Sequence, residues 1–213
     1  RPFENTTIAI CLAGHVRTMM DPAVVVAYAE AFAHLTARQT FAVLDISNRD
    51  TTSSTKGGPS NDRAEFIQQH AAGLEVYNIS ESMGTLQIMR KDSDFVHAMY
   101  TDGGCSKQLP GNCYHRKWPC QSPIVSQKQG HTKETMWNIA EQAWKLTLCG
   151  RMIRDWEAPR GRFEWIIRWR PDAVLLAPFL SMRGLSITTS YTNFVSRDWY
   201  FICPREHCDA YLF

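Results

Sequence analysis

The sequence predicts an α/β fold with a mainly parallel sheet flanked by helices. Two patterns carry that prediction. One is the unbroken apolar run Ile8-Ala9-Ile10-Cys11-Leu12-Ala13, stopped by Gly14. A run without alternation suits a strand buried on both faces, as parallel sheets require. The other is the order strand, helix, strand that opens the chain, the repeating unit of such folds. Asp21-Pro22 reads as an N-cap with proline at the first helical turn, and 23–37 is rich in helix formers with apolar residues at helical spacing. Phe41-Ala42-Val43-Leu44-Asp45-Ile46 is then a second short strand.

Further along, 47–62 turns to Thr, Ser, Gly, Asn and Asp and reads as a loop. A short helix is expected over 64–72 and a third strand over 74–79. The stretch 92–126 holds glycines, prolines and three cysteines, and is expected to be a long irregular excursion. The clearest helix is 132–156, where Trp137, Ala140, Trp144, Leu148 and Met152 make one apolar stripe that should pack on the sheet. Pro159-Arg160-Gly161 ends it. Strands follow over 163–168 and 198–203, with a further apolar piece over 173–179, and 204–213 opens a helix.

A chain of 213 residues with 44% hydrophobic and 21% charged residues suits a single domain, 1–213, and excludes a disordered chain or a coiled coil. At this size roughly 70% of the unfolded surface is buried, so a core forms without metal or disulfides. The formal charge of +2, with no dense Lys/Arg block, argues against a nucleic-acid partner. No apolar run is long enough to span a membrane, and no signal peptide is present. A start at Arg1 points to a processed or partial protein, with membrane attachment only through a segment outside this sequence.

Seven cysteines leave at least one thiol unpaired within the chain. Cys105, Cys113 and Cys120 crowd one loop, where one disulfide is expected if the protein is luminal; Cys203 and Cys208 form a second cluster. The absence of any CxxC speaks against structural zinc. Two N-glycosylation sequons, Asn5-Thr6-Thr7 and Asn78-Ile79-Ser80, leave a secretory or Golgi lumen and the cytoplasm both open.

Two places carry candidate chemistry. In Gly14-His15-Val16-Arg17-Thr18, directly after the first strand, Gly14 permits close backbone approach and Arg17 can fork onto a phosphate. The sequence has neither GxGxxG nor GxxxxGK[ST], so dinucleotide and P-loop readings lack support. An ordinary tight turn is the rival reading. In Ile166-Ile167-Arg168-Trp169-Arg170-Pro171-Asp172-Ala173-Val174 an apolar strand abruptly shows two arginines and an aspartate, which are costly to bury unless paired or bound. Asp172, at a strand end, suits a divalent cation bridging a diphosphate; a local Arg–Asp pair closing a turn is the alternative.

The layout apolar strand–Gly-x-x-Arg-Thr, then Phe-Ala-Val-Leu-Asp, then Trp-Ile-Ile-Arg-x-Arg-Pro-Asp, then Asp-Trp-Tyr-Phe resembles nucleotide-sugar glycosyltransferases of the GT-A kind, closest to a group of algae and large viruses with an Arg-x-Arg-Pro-Asp motif. The resemblance implies transfer of a hexosyl group from a nucleotide sugar to a glycan or protein acceptor. Laid on the family's Asp-x-Asp pattern, Asp172 takes the last Asp's place and would reach a Mn²⁺ or Mg²⁺ on the diphosphate. Arg170 stands where the first Asp would be, so the two-carboxylate site is halved and a cationic side chain can itself hold phosphate. Arg168 belongs to the same motif. The resemblance places Asp45 and Asn48, with Ser47, near the nucleobase or ribose, and Asp198 or Glu206 on the acceptor side as a general base or a hydrogen-bonding group. The rival readings are a catalytically silent relative that binds sugar or protein through the same cleft, and a sulfotransferase-like enzyme, for which the first turn lacks a Ser/Thr-rich phosphate loop.

Overall fold

The computed structural model describes residues 7–33, 35, 37–46, 63–89, 114–115, 118–119, 133–173, 194–196 and 200–212. In chain order the elements are β1 (Ile8–His15), α1 (Pro22–Phe32), β2 (Arg38–Asp45), α2 (Arg63–Val76), a 3₁₀ turn (Glu81–Met83), β3 (Leu86–Met89), β4 (Tyr114–His115), β5 (Trp118–Pro119), α3 (Lys133–Arg160), β6 (Trp165–Trp169), β7 (Phe194–Ser196), β8 (Tyr200–Pro204) and α4 (Arg205–Leu212). Six strands form one sheet in the order β3-β2-β1-β6-β8-β7, and β4 pairs with β5 in a separate two-stranded ladder. β3, β2, β1 and β6 are mutually parallel, whereas β8 runs antiparallel to β6 and β7 antiparallel to β8. The predicted α/β class with a mainly parallel sheet is therefore present.

The apolar run of the first strand occupies the middle of the sheet, as its lack of alternation demands. Ile8, Ile10 and Leu12 face a core shared with Tyr28 and Phe32 of α1 and Phe66 and Leu74 of α2. Ala9, Cys11 and Ala13 face the opposite core, shared with Cys149 and Ile153 of α3 and Cys208 of α4. Helices thus cover both faces. The Asp21 side chain accepts a hydrogen bond from the Ala23 amide at 2.9 Å with Pro22 in the first turn, so the predicted cap is as drawn. The helix stops at Phe32, five residues short of expectation. Arg38, at the start of β2, caps it by donating from Nη1 to the carbonyls of Phe32 and Leu35.

The largest correction concerns 74–79, which is not a strand. Phe66 and Leu74 continue one buried helical face, and α2 closes in a Schellman motif. Asn78 sits at φ 57° with its amide on the Glu75 carbonyl at 2.8 Å, and the Ile79 amide returns to the Leu74 carbonyl at 3.0 Å. Buried Leu74 and Ile79 provide the apolar contact that accompanies such a cap. The third strand is instead Leu86–Met89 on the outer side of β2.

In α3 the expected stripe is displaced by one residue. Trp144, Leu148 and Met152 are only partly buried, while Glu141, Lys145, Cys149 and Ile153, at four-residue intervals, line the buried face. The side chains of Trp137 and Ala140 lie outside the described residues. The helix runs through Pro159 to Arg160, and Gly161 follows at φ 96°. At its far end Arg205 of α4 forks onto Glu157, donating from Nε at 2.8 Å and Nη2 at 2.9 Å, and reaches Asp209 from Nη1 at 2.6 Å. Disulfides join Cys11 to Cys149 and Cys203 to Cys208. Cys105, Cys113 and Cys120, the apolar piece beyond Ala173, and most of 92–126 lie outside the described residues.

Candidate functional site

The sheet order reverses the chain's direction of growth after β3. From β1 it proceeds outward to β2 and β3 on one side, then returns to lay β6 on the other side. The crevice beyond the carboxyl ends of β1 and β6 is therefore the switch point at which open α/β sheets bind ligands. The turn after β1 and the turn after β6 meet there. A Cβ on Gly14 would lie 3.0 Å from Pro171 Cδ, so a larger residue there would press the two turns apart. Val16 is anchored by its amide on the Asp45 carbonyl at 3.0 Å, and Arg17 takes a positive φ of 36° in the tight turn that follows. A non-glycine residue in that region is locally strained, a feature that concentrates at ligand sites.

Arg17 and Asp172, 155 positions apart, meet in this crevice, as both strand-end placements require. Arg17 Nη1 donates to Asp172 Oδ2 at 3.2 Å. Arg170 donates to the same carboxylate from Nε at 2.5 Å and from Nη2 at 3.0 Å, and the Ala173 amide closes the turn onto the Arg170 carbonyl at 3.0 Å. The pair-closed turn is thus formed, with a second guanidinium added from across the crevice. The Arg17 side chain is 40% exposed and the Asp172 side chain 14%.

On the α3 side of the same turn lies a second group. His15 and Asp45 are register partners at the ends of β1 and β2, and His15 Nδ1 is 3.2 Å from Asp45 Oδ2. Glu141 and Lys145, one turn apart on α3, complete it. Lys145 Nζ is 3.2 Å from Asp45 Oδ2 and also contacts Glu141 Oε1, whose carboxylate is 3.8 Å from His15 Nε2. Lys145 and Asp45 have fully buried side chains, while that of His15 is 19% exposed. An ammonium is tolerated at such depth only because two carboxylates surround it.

Several sequence-derived assignments change. Asp45 is buried against Lys145 and His15 because its position in β2 points toward α3. Arg168, in the strand rather than the turn, is buried, and its register partners are Cys11 and Phe201. Glu206 sits at the wrong end. β8 is antiparallel to β6, with Pro204 opposite Trp165, and the Arg205 amide bonds to the Glu164 carbonyl at 2.9 Å. Glu206 therefore lies beyond the amino end of β6, exposed, 3.3 Å from His207. Asn48 and Asp198 lie outside the described residues. Sequence reasoning passed over His15, Glu141 and Lys145; the spacing Glu141-x-x-x-Lys145 was the available signal, obscured by the louder tryptophan stripe.

A divalent cation fits neither group well. Both Asp172 oxygens already accept guanidinium N–H groups, and a cation at the roughly 2.0–2.6 Å typical of oxygen ligands would face two positive charges. His15, Asp45 and Glu141 offer ligand atoms within 4.8 Å of one another, but Lys145 occupies their midst. A shallow groove lined by Ile67, Leu74, Ile79, Met83 and Leu86 lies by the amino end of β3 and contains none of these residues. Comparison with protein-family models, curated proteins and solved structures finds no match.

Proposed function

We propose that the protein is a glycosyltransferase of the GT-A kind, moving a sugar from a nucleotide-sugar donor to a glycan or protein acceptor, with the donor diphosphate at the carboxyl ends of β1 and β6. The observation that supports this most is the convergence of Arg17 and the Arg170–Asp172 turn at the sheet's switch point. Sugar departure leaves negative charge on the diphosphate, and fixed guanidinium donors aimed at that charge lower the barrier. Arg17 and Arg170 are the described residues with that chemistry in the crevice. Glu206 lies beyond the amino end of β6, away from this crevice. The Cys11–Cys149 and Cys203–Cys208 bonds favour an oxidising compartment such as the secretory lumen.

One observation favours a second reading, a silent relative that binds sugar or protein through the same crevice. The Arg170–Asp172 pair satisfies itself within a closed turn, which a purely structural role would also produce. Incubation with a panel of nucleotide sugars, with and without glycan acceptors, separates the two. Release of free nucleoside diphosphate that falls in Arg17→Ala supports the transferase; binding without release at any donor supports the silent relative.

A further inference from the structure

A transferase that uses a metal needs a carboxylate available to it, and here the described carboxylates at the crevice, Asp172, Asp45 and Glu141, each contact a side-chain cation. Asp172 is held by two guanidiniums from two different strands' turns, at 2.5, 3.0 and 3.2 Å. Asp45 and Glu141 share the buried ammonium of Lys145. The two arrangements flank one turn, Gly14 to Arg17, on opposite sides of β1.

We infer that the crevice binds a nucleoside diphosphate without a divalent cation: Arg17 and Arg170 form the phosphate clamp, Asp172 is the counter-ion that an incoming diphosphate displaces, and Lys145 fills the carboxylate cluster that would otherwise accept a metal. This rests on the transferase reading and deepens it. Bidentate guanidinium groups match phosphate as well as carboxylate geometry, so a phosphate can take over the hydrogen bonds that Asp172 now accepts. In the ligand-free protein the carboxylate is the acceptor that offsets the charge of the two arginines. Arg17, the more exposed arginine, is the one an anion meets first.

The roles assigned to Asp172 by a metal bridge and by a counter-ion predict opposite signs. If a cation on Asp172 bridges the diphosphate, Asp172→Asn weakens binding. If Asp172 competes with the phosphates for Arg17 and Arg170, the same substitution strengthens binding by about two- to fivefold, the scale of one partly exposed ion pair. Calorimetric titration with UDP and GDP, in EDTA and in Mn²⁺, reads this directly. The expected result is equal affinity in both buffers, weakening in Arg17→Ala and Arg170→Ala, and strengthening in Asp172→Asn. Binding that appears only with Mn²⁺, or is lost in Asp172→Asn, overturns the inference and leaves the transferase reading standing. Absence of binding by either nucleotide in both buffers removes the transferase reading and the inference together. The Lys145 part has its own readout that needs no nucleotide: wild-type protein should leave the EPR spectrum of free Mn²⁺ unchanged. A bound ion whose signal disappears in Glu141→Gln overturns that part.

Discussion

Removing the Cys11–Cys149 bond tests how α3 is held in register over the sheet. The two cysteines are 138 positions apart. On the chain-entropy account, opening a loop of that length restores enough freedom to the unfolded chain to cost about 5 kcal/mol at 25 °C. The Cys203–Cys208 bond spans a separation of 5, and the same relation gives about 2 kcal/mol. Both sulfurs of the longer bond are buried between β1 and α3. The substitution Cys11→Ala/Cys149→Ala, which leaves no half-cystine exposed to exchange, should therefore cost about 2–5 kcal/mol, the lower end applying if the unfolded chain keeps residual structure.

Urea unfolding of the oxidised wild type against the double variant is the assay. The variant should also show a larger m-value, because its unfolded state is no longer cross-linked and exposes more surface. Non-reducing peptide mapping should recover the Cys11 and Cys149 peptides joined. Free thiols at both positions in native protein prepared under oxidising conditions would refute the bond. A stability loss below about 1 kcal/mol with an unchanged m-value would refute the entropic reasoning.

Four further outcomes follow from the geometry. Arg205→Met leaves Glu157 and Asp209 without their shared guanidinium and should cost about 3 kcal/mol in urea unfolding, with much of the loss recovered in Arg205→Met/Glu157→Leu. Gly14→Ala forces a Cβ to 3.0 Å from Pro171 and should cost about 1–3 kcal/mol by thermal melting, while weakening UDP affinity because the two turns must part. Asn78→Val should cost about 1–2 kcal/mol because a β-branched residue resists the left-handed cap at φ 57°, whereas Asn78→Gly should be nearly neutral in the same melt. Burial pushes the Tyr28 phenol up to about 12 from 10.0, against smaller opposing effects of Thr40 and Arg38. The neutral phenol is thus favoured in the folded state: its stabilisation is complete below about pH 10 and is lost as pH rises through about 12, a span worth about 3 kcal/mol. Phenolate absorbance with parallel melts should show Tyr28 ionising only as the protein unfolds.

The elements legible in the sequence were those whose burial is one-dimensional. β1 and β2 are unbroken apolar runs, and α1 opens on a proline behind an aspartate cap, so pattern alone placed them. The failure at 74–79 has a local cause. Leu-Glu-Val-Tyr-Asn-Ile carries the β-branched and aromatic residues of a strand, yet Leu74 is spaced from Phe66 as a helix face, and Asn78 was the αL stop signal for that helix. The failure in α3 is of another kind. Hydrophobic periodicity assumes that charges face water, and here Glu141 and Lys145 face the sheet because Asp45 and His15 wait there. No local pattern reports a partner 100 positions away. The Arg17–Asp172 meeting, in contrast, followed from topology, since residues just past the carboxyl ends of adjacent parallel strands must converge. Glu206 failed by the same logic, because reversing the direction of one strand sends its carboxyl end to the opposite edge.

The balance of charge around the β1–α1 turn explains how a site so rich in ionised groups can exist in a chain that folds before it meets any ligand. Arg17, Arg170 and Lys145 face Asp172, Asp45 and Glu141: the mouth holds two cations against one carboxylate and the buried group one cation against two, so the charges balance only over the two groups together. The compensation is unequal in depth. Lys145 and its carboxylates are closed off from water, where ion pairs are screened least and exchange partners least readily. Asp172 and its arginines lie at the surface of the crevice, where one carboxylate holds two guanidiniums that could each satisfy a second acceptor. An anion entering from solvent gains both arginines and gives up little, since the displaced carboxylate passes into water. A cation entering the same crevice must first break those contacts and then remain among the arginines. On the proposed reading the mouth of the crevice favours anions, with the buried group of Lys145, Asp45 and Glu141 behind it on α3.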